Sequence, residues 1–268
     1  MLRITNLEKT FFPNTQGENR VINSLNLTVE KGDFVTVVGS NGAGKSTLLN
    51  CISGDLPVNK GRIELAGQDV TNLRDYQRAG TVGRVFQDPL AGTAPEMTIE
   101  ENLSLAFHKC AHFSLRRGIT SGGKAAFQEV LSRLDMNLSG RLGVRVSMLS
   151  GGQRQALTLL MATISNPGLL LLDEHTAALD PAMAIKINLL TEEIIQEKNL
   201  TTLMVTHNLD DAIRMGDRLI MMDEGRIILD ISGREKKKMT VEKLLHLFKE
   251  RKGRSFNSDR SLFAVWAD

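Results

Sequence analysis

Nine consecutive residues, Gly39-Ser40-Asn41-Gly42-Ala43-Gly44-Lys45-Ser46-Thr47, combine the types that hold a chain of phosphates. Glycines let the backbone curl so that successive N–H groups face one concavity, and a helix starting behind them adds the positive end of its dipole. Lys45 can reach the outer phosphates as a point charge. The Ser46 hydroxyl is placed to ligate the Mg²⁺ that accompanies a nucleoside triphosphate. A glycine turn with a solvated lysine is the competing account, and the full G-x-x-x-x-G-K-S spacing between a strand and a helix argues against it. Asp173 and Glu174 close a run of four leucines. Asp173 can hold a magnesium shell through water, and Glu174 can orient and deprotonate an attacking water. His207 closes a second apolar run and is a candidate phosphate contact, although a lone histidine is as readily structural. Gln87 follows a short apolar strand, where a glutamine can touch a metal ion or simply face water. Ser150-Gly151-Gly152-Gln153 begins a helix and leaves several N–H donors unblocked for a second anion; taken alone, the same residues make an ordinary N-cap. Phe11, in the turn-rich stretch Phe11-Phe12-Pro13-Asn14-Thr15-Gln16-Gly17, offers an aromatic face to a base, with core packing as the alternative.

The elements that must carry these residues follow from hydrophobic periodicity. Phe34-Val35-Thr36-Val37-Val38 reads as a strand leading into the glycine loop, and residues 46–52 as the helix behind it. Residues 2–8, the alternating Leu25, Leu27 and Val29, and residues 61–67 predict a small antiparallel layer. Arg84-Val85-Phe86-Gln87 is a brief strand stopped by Asp88-Pro89. Thr98-Ile99-Glu100-Glu101 is a capping box opening a helix with Leu103 and Phe107, and Phe127, Val130, Leu131 and Leu134 keep the same period. The polar stretch between, residues 116–124, predicts a loop. After Gln153, Leu157, Leu160, Met161 and Ile164 form a helical stripe ended by Asn166-Pro167-Gly168. Leu169-Leu170-Leu171-Leu172 predicts a strand buried on both faces of a parallel sheet, so Asp173 and Glu174 fall at its carboxyl end, where α/β sheets bind ligands. Residues 218–230 read as a hairpin turning at Asp223-Glu224-Gly225. Lys236-Lys237-Lys238 precedes a short helix with Val241, Leu244, Leu245 and Phe248, for which a solvated surface is the default and docking to a partner or anionic lipid the alternative.

Composition narrows the field. With 41% apolar residues in 268, the chain has enough for a core, and no disorder argument arises. A net charge of +2, from 33 basic and 31 acidic residues, argues against nucleic acid as a partner. Cys51 and Cys110 make neither a metal spacing nor a disulfide framework, which suits a reducing cytosol. No apolar run approaches the roughly 18 to 20 residues of a spanning helix, and no signal peptide begins the sequence, so an involved membrane is expected to be crossed by another chain. No internal repeat is evident.

In order and spacing these pieces resemble the ATP-binding cassette ATPases, over roughly residues 2–230. Gly39 to Thr47 is similar to the Walker A loop, Gln87 to the Q-loop glutamine, Leu149-Ser150-Gly151-Gly152-Gln153 to the signature sequence, Leu169–Asp173 to Walker B, Glu174 to the catalytic carboxylate, Ala178-Leu179-Asp180 to the D-loop and His207 to the switch histidine. The resemblance implies an α/β fold: a P-loop NTPase (RecA-like) core over residues 2–88 and 166–230 with an antiparallel β-subdomain, a helical subdomain over about 90–165, and a tail over 231–268. It implies ATP and Mg²⁺ as cofactors, the metal involving Ser46, Gln87 and Asp173, and catalysis involving Glu174, His207 and Gln87. Phe11 takes the adenine-stacking position, usually tyrosine. Ser150 to Gln153 and Asp180 complete the nucleotide site of a second copy, so that two ATP molecules are sandwiched in a head-to-tail homodimer, or a heterodimer with a second cassette. His175-Thr176-Ala177 departs from the frequent Pro-Thr-Ser, implying a modest change in backbone stiffness.

A lone cassette without spanning helices most resembles the detached, cytoplasmic ATPase subunit of a bacterial transporter. Its implied partners are integral membrane permease subunits and an extracytoplasmic substrate-binding protein. Phe11-Phe12-Pro13-Asn14-Thr15 and Val85-Phe86-Gln87-Asp88-Pro89-Leu90-Ala91-Gly92-Thr93-Ala94-Pro95 are similar to importer cassettes, some tied to aromatic amino acids. The alternative is a soluble mechanoenzyme of ribosome or DNA repair; the paired cassettes or long coiled coil of those proteins are missing from this sequence. A P-loop kinase or GTPase would not need residues 149–153.

Overall fold

The computed structural model describes residues 1–108, 121–134 and 136–252. In chain order its strands and helices are β1 (Leu2–Phe11), β2 (Asn19–Val29), β3 (Phe34–Gly39), α1 (Lys45–Ser53), β4 (Lys60–Leu65), β5 (Gln68–Asp69), α2 (Asp75–Arg78), β6 (Val82–Val85), α3 (Ile99–His108), α4 (Ser121–Ser132) and α5 (Gly151–Thr163). There follow β7 (Leu169–Asp173), α6 (Pro181–Lys198), β8 (Thr201–Val205), α7 (Leu209–Arg214), β9 (Arg218–Asp223), β10 (Arg226–Ser232), α8 (Gly233–Lys237) and α9 (Val241–Lys252). They form two compact units, one from Met1–Asp75 together with the described chain from Thr201 onward, the other from Tyr76–Leu200.

In the first unit, β1 pairs antiparallel with β2 and with β4, and β4 with β5. The alternation read at Leu25, Leu27 and Val29 is realised, all three being buried. β1 runs three residues beyond the expected end at residue 8, so Phe11 lies at the end of a strand opposite Asn19 rather than in the turn. β3 lies between two parallel neighbours, β8 and β9, and β9 pairs antiparallel with β10 through the Glu224–Gly225 turn. Both turn residues have positive φ, 45° and 74°, which matches the right-handed twist of a two-residue hairpin.

The end of the described chain differs from the solvated helix expected there. α9 buries Leu244 and Phe248, four residues apart on one face, in a cluster with Val38, Ala212, Leu219, Met221, Leu229 and Ile231. Lys236, inside the basic run, is buried too: its ammonium donates to the carbonyls of Met215 and Gly216, so its charge serves a helix end rather than solvent. Charge runs suggest a wet surface, but apolar spacing at 244 and 248 decides where the helix lies.

In the second unit β6 and β7 are parallel, Val85 opposite Leu172, and every residue of β7 is buried. Thr98 and Glu101 make the expected capping box, each side chain accepting from the other's backbone N–H at 3.3 and 2.7 Å. Packing of α5 on β6 is close enough that a Cβ at Gly83 would meet the Ala162 carbonyl at 2.4 Å. The polar stretch read as a loop is helical from Ser121, because Ala125, Ala126, Phe127 and Leu131 continue a helix-forming sequence with a buried stripe and tertiary packing outweighs two early glycines. Residues 116–120, Cys110 and the tail past 252 lie outside the described residues.

Phe248→Ala is expected to cost about 3 to 5 kcal/mol of stability in urea unfolding, and His246→Ala on the exposed side of α9 within about 0.5.

Candidate functional site

The phosphate loop leaves the carboxyl end of β3 and enters α1 with no side chain capping the helix. Its first-turn N–H groups are the kind an anion satisfies. Two glycines are imposed by close approach. A Cβ on Gly39 would meet the Met222 carbonyl oxygen at 2.1 Å, and one on Gly44, at φ +94°, would meet that of Val21 at 2.8 Å. Lys45 is buried, and its ammonium donates to the carbonyls of Gly39 and Ser40 at 2.8 and 3.0 Å. Ser46 is exposed in the first turn of α1, as are Asn41 and Gly42 on the loop.

Residues outside the loop hold it. The buried Ser40 hydroxyl donates to Asp223 at 2.6 Å, and the Gly225 N–H donates to the Ala43 carbonyl at 3.2 Å. The β9–β10 turn therefore fastens the loop at two points. Sequence reading found that turn but gave Asp223 no role, since an acidic residue before a glycine turn is ordinary turn chemistry. His207 is exposed just past β8, at the same strand edge as the loop because β3 and β8 run parallel, Val37 opposite Val205. Asn208 caps α7 by accepting from the Asp211 N–H, which fixes the chain leaving His207. Phe11 is half-buried, and the Lys9 ammonium stands 5.1 Å from its ring centroid, a cation–π contact that sequence reading did not anticipate.

The second unit collects the carboxylates. Asp173 ends β7 and Glu174 follows it, and Gln87, exposed, lies two residues past the end of the neighbouring parallel strand β6. Gln87 is thus beyond its strand rather than on it. Asp173 is buried and its Oδ2 pairs with the Arg84 guanidinium at 3.2 Å; that guanidinium also lies 4.5 Å from the Phe86 ring. Nothing in the local sequence marks Arg84 as more than a strand residue. Glu174 adopts φ +46°, left-handed for a residue with a Cβ. Beside it His175 is buried, with Nε2 3.2 Å from the Thr191 hydroxyl, and burial pulls its imidazole down to about 4, so it is neutral near pH 7.

Ser150 caps α5: its hydroxyl accepts from the Gln153 N–H while the Gln153 side chain accepts from the Ser150 N–H. Gln153 also donates to Met136, and Arg154 donates to the carbonyls of Val146, Ser147 and Leu149, so the helix start is braced from both sides. Gly151 lies 3.6 Å, measured from an added Cβ, from Leu179, and Met183 fills the place of a side chain on Gly152. Asp180 caps α6 by accepting from the Met183 N–H at 3.0 Å. Among the described residues no three His, Cys, Asp or Glu side chains cluster as a metal cage. A magnesium that keeps most of its waters and shares one carboxylate with substrate phosphates needs no such cage, and buried Asp173 at a strand end fits that kind of binding.

The ABC transporter family pattern matches residues 22–177. A tyrosine transport ATP-binding protein of Clostridioides difficile is 47% identical over 249 residues, 92% of this chain and 98% of that one. The lipoprotein-releasing system ATP-binding protein LolD of Ruegeria pomeroyi is 40% identical, over 84% of this chain and 96% of that one. The solved dimeric, post-hydrolysis structure of the ATP-binding cassette MJ0796 bound to ADP and Pi has a TM-score of 0.73 at 28% identity, covering 87% of this chain and 98% of that one. The chain belongs to the ABC transporter ATP-binding family. Its fold is that of the P-loop NTPase cassettes, and its activity is ATP hydrolysis coupled to transport.

Asp223→Ala removes the acceptor of a buried hydroxyl and one of two fastenings of the loop. It is expected to cost about 1 to 3 kcal/mol in stability and to weaken ATP binding, measured by equilibrium titration with a fluorescent nucleotide.

Proposed function

We propose that this chain powers a membrane importer as one of two identical cassettes, binding ATP and Mg²⁺ on the cytoplasmic face beside permease subunits. The observation that carries the nucleotide-binding half of this reading is the uncapped start of α1 beside buried Lys45 at the end of β3. In it, Gly39 to Thr47 bind the phosphates, Phe11 stacks on adenine, Ser46, Gln87 and Asp173 hold the magnesium, Glu174 orients the attacking water, and His207 contacts the γ-phosphate. Magnesium, when bound, would neutralise charge on the phosphates. Residues 2–88 and 166–230 serve as the nucleotide-binding core and about 90–165 as the helical subdomain that meets the permease.

Ser150 to Gln153 and Asp180 complete the site of the other copy. Loss of the γ-phosphate then removes contacts made only in the closed dimer, and the triphosphate supplies differential affinity for closure. Support comes from the second glycine-rich helix start, rigidly braced, and from the dimeric form of the related MJ0796 cassette. Import, with a substrate-binding protein, is supported by the resemblance of residues 11–15 and 85–95 to importer cassettes. No helix among the described residues is long and apolar enough to cross a membrane, so the permease is a separate chain in this reading. The relative named for tyrosine transport makes an aromatic amino acid the favoured cargo.

Mixing Ser150→Arg chains with Lys45→Ala chains leaves one complete site per heterodimer. Hydrolysis should return in the mixture though each variant alone is inactive; no return would place Ser150 in its own chain's site. Deleting the gene in its host should lower uptake of labelled tyrosine severalfold, restored by the wild-type chain and not by Lys45→Ala. Unchanged uptake would remove the cargo assignment and leave the ATPase intact.

A further inference from the structure

Glu174 stands in a left-handed backbone conformation, which a residue with a Cβ adopts only against steric strain. Such a conformation persists only where its surroundings over-determine it. On the upstream side the constraint is β7, locked in register with β6 through Val85 and Leu172. Downstream the chain turns twice, the Ala177 N–H donating to the Glu174 carbonyl at 3.0 Å and the Leu179 N–H to the Thr176 carbonyl at 3.2 Å, before Asp180 starts α6. Between these two constraints the first side chain to leave the segment inward is His175, 3% exposed.

Its partner fixes what the imidazole does. The Thr191 hydroxyl, fully buried on α6, lies 2.7 Å from the Ile187 carbonyl, and its single proton is committed there. Thr191 Oγ1 can therefore only accept from His175, which places the imidazole proton on Nε2. A leucine would fill a buried site without the desolvation cost of an imidazole. What the imidazole adds is a directional bond between α6 and the peptide next to Glu174. A neutral hydrogen bond contributes on the same order as the backbone strain it opposes.

We propose that His175 is a positioning residue for Glu174: its Nε2–H, donated to Thr191, ties the turn after β7 to α6 and holds Glu174 in its left-handed conformation, aimed for catalysis. This rests on the reading of Glu174 as the carboxylate that orients the attacking water. His175 is buried against α6 and acts only through its neighbour. Misplacing a catalytic group by about 1 Å can cost a hundredfold in rate while leaving substrate affinity alone.

The test uses ATP hydrolysis by the full chain. Thr191→Val, which keeps shape and deletes the acceptor, and His175→Leu should each lower kcat about tenfold or more, with KM for ATP and nucleotide affinity within about twofold. Thr191→Ser should behave as wild type, and His175→Gln, whose Nε2 can occupy the same position, should recover much of the loss. In a Glu174→Gln background, followed by slow turnover of labelled ATP, neither Thr191→Val nor His175→Leu should lower the residual rate further. A multiplicative further loss in that background, or a kcat within about twofold of wild type for Thr191→Val while Glu174→Gln abolishes turnover, overturns the positioning role and leaves Glu174 its own. Undiminished turnover in Glu174→Gln alone overturns both.

Discussion

A buried ammonium is the constraint on which the first unit depends. Taking a lysine charge out of water costs several kcal/mol unless donors and acceptors are arranged around it, and Lys45 finds its acceptors in the backbone of its own loop, at Gly39 and Ser40. For those carbonyls to turn inward, the loop must curl tightly. It can do so only where Gly39 passes the Met222 carbonyl and Gly44 passes that of Val21 without side chains. The shape of the loop is therefore set by strands far away in sequence, and Asp223 completes the fit by accepting a hydrogen bond from the Ser40 hydroxyl. A triphosphate binding there, as proposed, would find a cation already in place and little left to reorganise, which is where preorganised electrostatics are most effective.

The second unit solves the opposite problem. Asp173 is an anion sunk at the end of a strand buried along its length, and Arg84, reaching from the adjacent parallel strand, supplies the matching charge. Removing one member of such a pair leaves an uncompensated buried charge, so a cation that came to share Asp173 would meet a carboxylate already in position. Next to it, Glu174 is held by constraints from the strand, the following turns and α6. Rigid elements carry the carboxylates and short turns aim them.

Much of this was legible in the sequence, for reasons specific to each residue. The glycine loop, the four leucines of β7 and the capping box at Thr98 are local patterns, and each formed as its spacing implied. Asp223, Arg84 and Thr191 were not legible as supports, because their partners lie 183, 89 and 16 residues away and no local period links them. His175 stands out in the sequence only as a departure that implies a change in backbone stiffness, and nothing local announces the contact of its side chain with Thr191. The fate of α9 was visible in the spacing of Leu244 and Phe248 but obscured by the lysines before it.

The bond made by Lys236 carries a consequence for the far end of α7. That helix begins at the Asn208 cap adjoining His207 and closes at Met215, where Met215 and Gly216 turn their carbonyls toward the Lys236 ammonium. Clipping the chain ahead of residue 236 would remove the donor to both oxygens together with the packing of α9 on Ala212, and loosen the mount of the histidine at the other end of α7. The segment from Lys236 to α9 is thus a tether within the first unit, and its integrity bears on how firmly that histidine is held.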